Sequence, residues 1–180
     1  IAVFKAMSAA EQLATLHSLR AAFRAGEADA PTFVNALRLS LASQDWDVIE
    51  LATAFYAEIQ GNMVAPADKA AIEAAVSRWL DKPMAKTGLA PKPSEPVAAT
   101  LKRSALANWS VKFGKNAESV SAFSAKGTAA LKALLAPPAA GPVTMDELLP
   151  ISLWSAINTG GVAAANDAMA AIGGTRDAEL

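Results

Sequence analysis

The chain is predicted to be all-α: a stack of antiparallel helical hairpins, HEAT- or armadillo-like, with about eight helices. Three observations predict this. Apolar residues recur at spacings of three and four in segment after segment. Alanine, the strongest helix former, is the commonest residue. No alternating run of β-branched residues is long enough to make a strand.

The organising stretch runs from Ser8 to Leu80 and reads as four helices in two pairs. Ser8 with Glu11 forms a capping box, after which Leu13, Leu16, Leu19 and Phe23 share one face and Gly26 supplies the stop. Pro31 suits the first turn of a second helix, which carries Phe33, Val34, Leu37 and Leu41 inward and ends near Gln44. Ser43 or Asp45 caps the third. Its apolar residues make two stripes, Trp46, Ile49, Ala52, Tyr56 and Ile59 beside Val48, Leu51 and Phe55, which predicts neighbours on two sides. Gly61 is expected to break it. Pro66 starts a fourth helix with Ile72, Val76, Trp79 and Leu80 inward, and Pro83 is expected just beyond its end.

The proline-rich stretch 83–96 is the one possible internal hinge in what otherwise reads as a single domain, 1–180. Ser94 is expected to cap a fifth helix, with Leu101, Ala105, Leu106, Trp109 and Phe113 buried up to Gly114. Asn116 caps a sixth, in which Gly127 marks a close backbone crossing between Phe123 and Leu131. The loop Ala136 to Val143 interrupts it. Thr144 with Glu147 then makes a second capping box, and a seventh helix is expected to start at Met145 with Pro150 near its beginning. Gly160 and Gly161 stop that helix. An eighth, Val162 to Ile172, points Met169 and Ile172 inward, and Gly173 and Gly174 end it. Pairs thus begin near residues 8, 44, 94 and 144, the spacing of a helical-hairpin repeat that leaves a concave surface. The uncapped start IAVFKAM and the terminal TRDAEL, which reads as the opening of a ninth helix, lead us to expect a segment excised from a longer protein.

Composition limits function more than it assigns it. The 180 residues suffice for a core that buries about 70% of the unfolded surface. With 16 basic and 17 acidic residues, net charge −1 and no charge blocks, no nucleic-acid partner is expected. The charge-free run Leu148 to Asn166 is interrupted by Pro, Ser, Asn and Gly, so no membrane span is expected. There is no cysteine, which removes thiol chemistry but leaves the compartment, cytoplasmic or periplasmic, open.

No constellation of residues carries visible chemistry. His17, in HSLR, is the single histidine, so neither an HExxH zinc signature nor a histidine triad exists within the chain, and a solvent-facing position is expected. Asp45 and Asp47 read as cap and first-turn residues, not as a catalytic pair. The glycine pairs 160–161 and 173–174 lack the strand that a phosphate loop requires. Arg78 with Trp79 and Lys102 with Arg103 read as solvated faces, and the tryptophans at 46, 79, 109 and 154 as core anchors. No catalytic, cofactor-binding or metal-ligating residue is assigned.

The stretches MSAAEQLATLHSLRAAFRAGEADAPTFVNAL, SQDWDVIELATAFYAEI, PADKAAIEAAVSRWL, TGLAPKPSEPVAATLKRSAL and TMDELLPISLWSAINTGGVAAANDAMAAIGGTRDAEL do carry a resemblance. In order and content they resemble the C-terminal helical domain of zinc aminopeptidases of the aminopeptidase N type, the gluzincin aminopeptidases. The likeness covers nearly the whole chain, and none of its stretches is a catalytic motif. It implies a bowl of hairpins over a separate thermolysin-like domain that holds the zinc, the HExxH helix and the residues binding the peptide N-terminus. On that implication this segment carries no cofactor of its own. Its partners are the catalytic domain of the parent chain and peptide substrates, and it shapes the cavity they enter. The residues themselves leave open a second reading, a free-standing helical-repeat scaffold that binds a protein or peptide in its groove.

Overall fold

The computed structural model describes residues 3–135 and 146–174, and every element in them is helical. The all-α class is as predicted. The chain divides into two compact units between Lys115 and Asn116. The expected hinge at 83–96 therefore lies inside the first unit, not between units.

The first unit holds five α-helices: α1 (Ala9–Ala25), α2 (Ala30–Ser40), α3 (Trp46–Met63), α4 (Lys69–Thr87) and α5 (Val97–Asn108), with short 3-10 turns at Phe4–Ala6 and Pro66–Asp68. The first, third and fifth helices begin close to the positions expected for successive pairs. Local signals set α1 as read: Ser8 and Glu11 satisfy each other's N–H groups, and Gly26 closes the helix at φ 77°, a left-handed conformation open to glycine without a Cβ penalty. Asp29, which accepts from the Thr32 N–H at 2.7 Å, is the cap of α2, and that helix ends at Ser40, earlier than Gln44.

Helix α3 is the centre of the unit and packs on α1, α2 and α5, as its two apolar stripes predicted. Phe55 and Tyr56 show why two stripes are needed. Adjacent residues lie about 100° apart around a helix, so each seeds its own aromatic cluster. Phe55 meets Phe33 (6.2 Å between centroids), which in turn meets Phe23 (5.1 Å). Tyr56 meets Trp109 (4.7 Å), Phe113 (5.0 Å) and Trp79 (6.4 Å).

Several boundaries differ from the sequence reading. Helix α3 runs through Gly61 to Met63, because a helical glycine costs only about 1 kcal/mol and does not by itself stop a helix. Helix α4 continues through Pro83 to Thr87, although proline removes one N–H from its last turns. Ser94 does not cap α5. It sits at φ 56°, and Pro96 occupies the cap position without a side-chain bond. Past Asn108, the expected continuation of α5 widens into a π-helical turn, Trp109–Phe113, closed by the Gly114 N–H donating to the Trp109 carbonyl at 2.9 Å.

The second unit pairs α6 (Ala117–Leu135) with α7 (Leu149–Gly174). Asn116 caps α6, accepting from the Ser119 N–H at 3.0 Å. Gly127 is the close crossing that the sequence predicted: a Cβ there would stand 2.0 Å from the Ser152 carbonyl oxygen. Helix α7 starts at Leu149, which puts Pro150 in its first turn. Gly161 leaves helical geometry (φ 63°, ψ −145°), so the two expected helices are two segments meeting at this kink. Met169 and Ile172 are not inward as expected, being 70% and 54% exposed, whereas Ala171 between them is buried. The expected loop 136–143, the Thr144 cap with a start at Met145, and the ninth-helix signal at 175–180 lie outside the described residues.

Candidate functional site

The residues singled out in the sequence scatter over the fold. His17 is exposed on α1, as expected, with its ring edge-on to Phe55 at 5.4 Å. Asp45 takes the cap position of α3 without bonding by its side chain, and Asp47 accepts from the Val48 N–H at 3.0 Å. Just before the helix, the Ser43 hydroxyl accepts from the Asp45 N–H at 3.2 Å. Lys102 donates to the Ser43 carbonyl and lies within reach of the Asp45 charge, whereas His17 is on α1. Among the described residues no set of three His, Asp or Glu side chains could hold a metal ion, and no helix is long and apolar enough to cross a membrane.

Two expectations about burial are overturned. Of the four tryptophans only Trp109 is fully buried; Trp79 and Trp154 are half-buried and Trp46 is 37% exposed. Arg103 is not on a solvated face. Its side chain is completely buried, and Nη2 donates to both carboxylate oxygens of Glu95, which the turn before α5 brings alongside. The guanidinium hydrogen bond holds the Glu95 carboxyl below its ordinary range. This buried pair fastens the 88–96 connection to α5.

Periodicity also missed Gln12, a polar residue beside the apolar face of α1. It is buried, its Nε2 donates to the carbonyls of Phe4 (3.0 Å) and Met7 (3.3 Å), and its Oε1 accepts from the Ser43 hydroxyl (3.0 Å). It joins the N-terminal turn to the α2–α3 connection. On the same unit Arg20 donates to Glu58 through Nε and Nη2 and lies 4.9 Å over the Phe55 ring. Arg20 and Arg103 are thus both engaged in structural pairs.

One cavity combines space with charge. It has a volume of about 500 Å³ and opens where the end of α3, the start of α4 and the π turn meet. Ala57, Val64, Pro66 and the ring of Phe113 make its apolar wall. Lys69 and Glu73 enter from α4, Lys112 from the π turn and Lys115 from the residue after Gly114, and Gln60 adds an amide. Lys115 sits at φ 46°, a strained left-handed conformation for a residue with a Cβ. Packed on Phe113, Tyr56 is buried and its hydroxyl has no hydrogen-bond partner among the described residues. Burial first, and the Glu73 charge second, push it up to about 12. Nothing in the linear sequence flags this cavity, since its cations come from two distant stretches, Lys69 and 112–115.

The second unit has a different opening, about 280 Å³ and almost wholly apolar, between α6 (Leu131, Leu134) and both segments of α7 (Pro150, Trp154, Ile157 and Ile172). The kink at Gly161 lets residues on either side of it border one space. Comparison of the chain with protein-family models, curated proteins and solved structures finds no match.

Proposed function

We propose that this chain is the non-catalytic helical domain of a zinc aminopeptidase of the aminopeptidase N type, covering the active site and shaping the cavity that peptide substrates enter. The observation that carries the reading is the ordered series of resembling stretches. The fold is compatible with it: the stretches of the first unit fall on α1 to α5 and their connections, and the elements are all helical, as such a domain requires. Zinc belongs to a separate domain of the parent on this reading, since the residues present do not fit a zinc site. The single histidine is exposed, there is no cysteine, and the described acidic residues form no cluster with it. The alternative, a helical scaffold that binds a partner of its own, would use the cavity of about 500 Å³ in the first unit.

The test compares the product of the parent gene with the 180-residue chain, using amino-acid anilide hydrolysis and metal analysis. The expected result is chelator-sensitive hydrolysis and stoichiometric zinc in the parent, and neither in the chain alone. A parent without an HExxH segment or anilidase activity would overturn the proposal, as would zinc-dependent turnover by the pure chain. Removing this segment from an active parent is expected to widen its substrate range toward longer peptides.

A further inference from the structure

The hairpin of the second unit is tight at one level and open at another. At Gly127 α6 and α7 leave no room for a Cβ, yet toward the end of α6 a space of about 280 Å³ lies between them. Packed interiors contain few voids larger than a water molecule, so a space of this size has a specific cause. The chain turns at Gly161 through φ 63° and ψ −145°, a combination open essentially to glycine, and so brings the second segment of α7 to the space that the first segment already borders. That segment contributes Ala168 and Ala171, whose short side chains leave room between themselves and Leu131, Leu134, Trp154 and Ile157. Of the nine residues described around the space none is charged, and Trp154 alone has a polar side-chain atom.

We propose that this cavity binds a small neutral apolar molecule, a compact hydrocarbon body of one to two rings. A lining without charges offers an ion no partner, so desolvating one there costs more than its contacts return. Water is a poor occupant too, because it needs polar partners on several sides. An apolar cavity of about 150 Å³ takes benzene, so about 280 Å³ takes a body of up to about two rings. A partner helix, about 10 Å across with its side chains, is too wide to enter. Val162 and Met169, the most exposed apolar side chains of α7, do not border the cavity and belong to a separate surface. The site does not depend on the aminopeptidase reading.

The test is a titration of the isotope-labelled 180-residue chain with naphthalene, followed by NMR of backbone amides and side-chain methyl groups. The control is 1,5-naphthalenedisulfonate, whose charges lie at opposite ends and cannot both stay in water when the rings are enclosed. The expected result is saturable shifts centred on Leu131, Leu134, Trp154, Ile157, Ala168 and Ala171, with Kd at or below about 0.1 mM. The disulfonate should bind at least about tenfold more weakly. Ala168→Leu fills the space and should lose about tenfold or more in affinity while keeping or raising the melting temperature. Ala171→Val is a second, smaller filling change with the same expected direction. Ala163→Leu, at an exposed position of the same segment that does not border the cavity, should keep the parent Kd. No saturable shift at the solubility limit of naphthalene would overturn the proposal. So would shifts centred on Val162 and Met169, shifts that depend on protein concentration and so mark a second copy on this face, equal affinity for the disulfonate, or an unchanged Kd in the folded filling variants.

Discussion

Replacing Gly127 with alanine tests the packing of the second unit more severely than any other single methyl. The added Cβ would lie 2.0 Å from the Ser152 carbonyl oxygen, 2.5 Å from its carbon and 2.9 Å from the Ala156 Cβ. Ordinary contact begins at 3.4 Å, so α6 and α7 would have to separate locally by about 1.4 Å, the difference between 3.4 and 2.0. The atoms met are backbone, which cannot rotate away as a flexible side chain does. Alanine gains about 1 kcal/mol over glycine in a helix interior. Overpacking against a fixed wall costs about 1 to 3 kcal/mol or more, and parting the helices also weakens the burial of Phe123 and Leu131 on either side. The net expectation is a loss of about 2 kcal/mol. Hydrogen exchange of amides in α6 and α7 is the direct readout, with urea melts as a second measure. Gly61→Ala is the control, because a Cβ there meets nothing within 4 Å and the position is helical; it should gain about 0.5 to 1 kcal/mol. A Gly127→Ala protein as stable as the parent would refute the crossing, and with it the arrangement of α6 on α7.

Three further outcomes follow from burial and pairing. Trp109→Ala should cost about 3 to 5 kcal/mol in urea melts, whereas Trp46→Ala, at a partly exposed position, should cost clearly less; equal losses would contradict the exposures seen here. Glu95 has its carboxyl lowered from 4.5 in the folded state, so it favours folding above that pH and loses the contribution as pH falls below 4.5 through the folded value. Glu95→Gln should therefore lower Tm at pH 7 and converge with the parent in strong acid, and a pH-independent difference would show that the Arg103 pair is not the cause. Tyr56→Phe removes a buried hydroxyl that has no hydrogen-bond partner among the described residues, and is expected to be neutral or stabilising by up to about 1 kcal/mol. A loss above about 1 kcal/mol in a urea melt would mean that the hydroxyl is satisfied.

What the sequence determined by itself is what neighbouring residues decide among themselves. The helical class, the Ser8–Glu11 box, the stop at Gly26 and the Asn116 cap depend on contacts within a turn or two, and all are present. Gly127 was legible too, because a glycine amid Phe123, Leu131 and good helix formers has few explanations besides a close neighbour. Periodicity identifies a face, but whether another element covers that face is settled elsewhere in the chain. Trp46 and Met169 lie on apolar stripes and are nonetheless 37% and 70% exposed among the described residues. Arg103 looked like a surface cation until the turn before α5 delivered Glu95 to it. Helix α4 continued through Pro83, and α5 widened into a π turn, where the local signals read as stops or simple continuation. The cavity of the first unit was the least legible feature. Lys69, Lys112 and Lys115 are ordinary surface residues in the linear sequence, and only the packing of α3, α4 and the π turn brings their charges to one space.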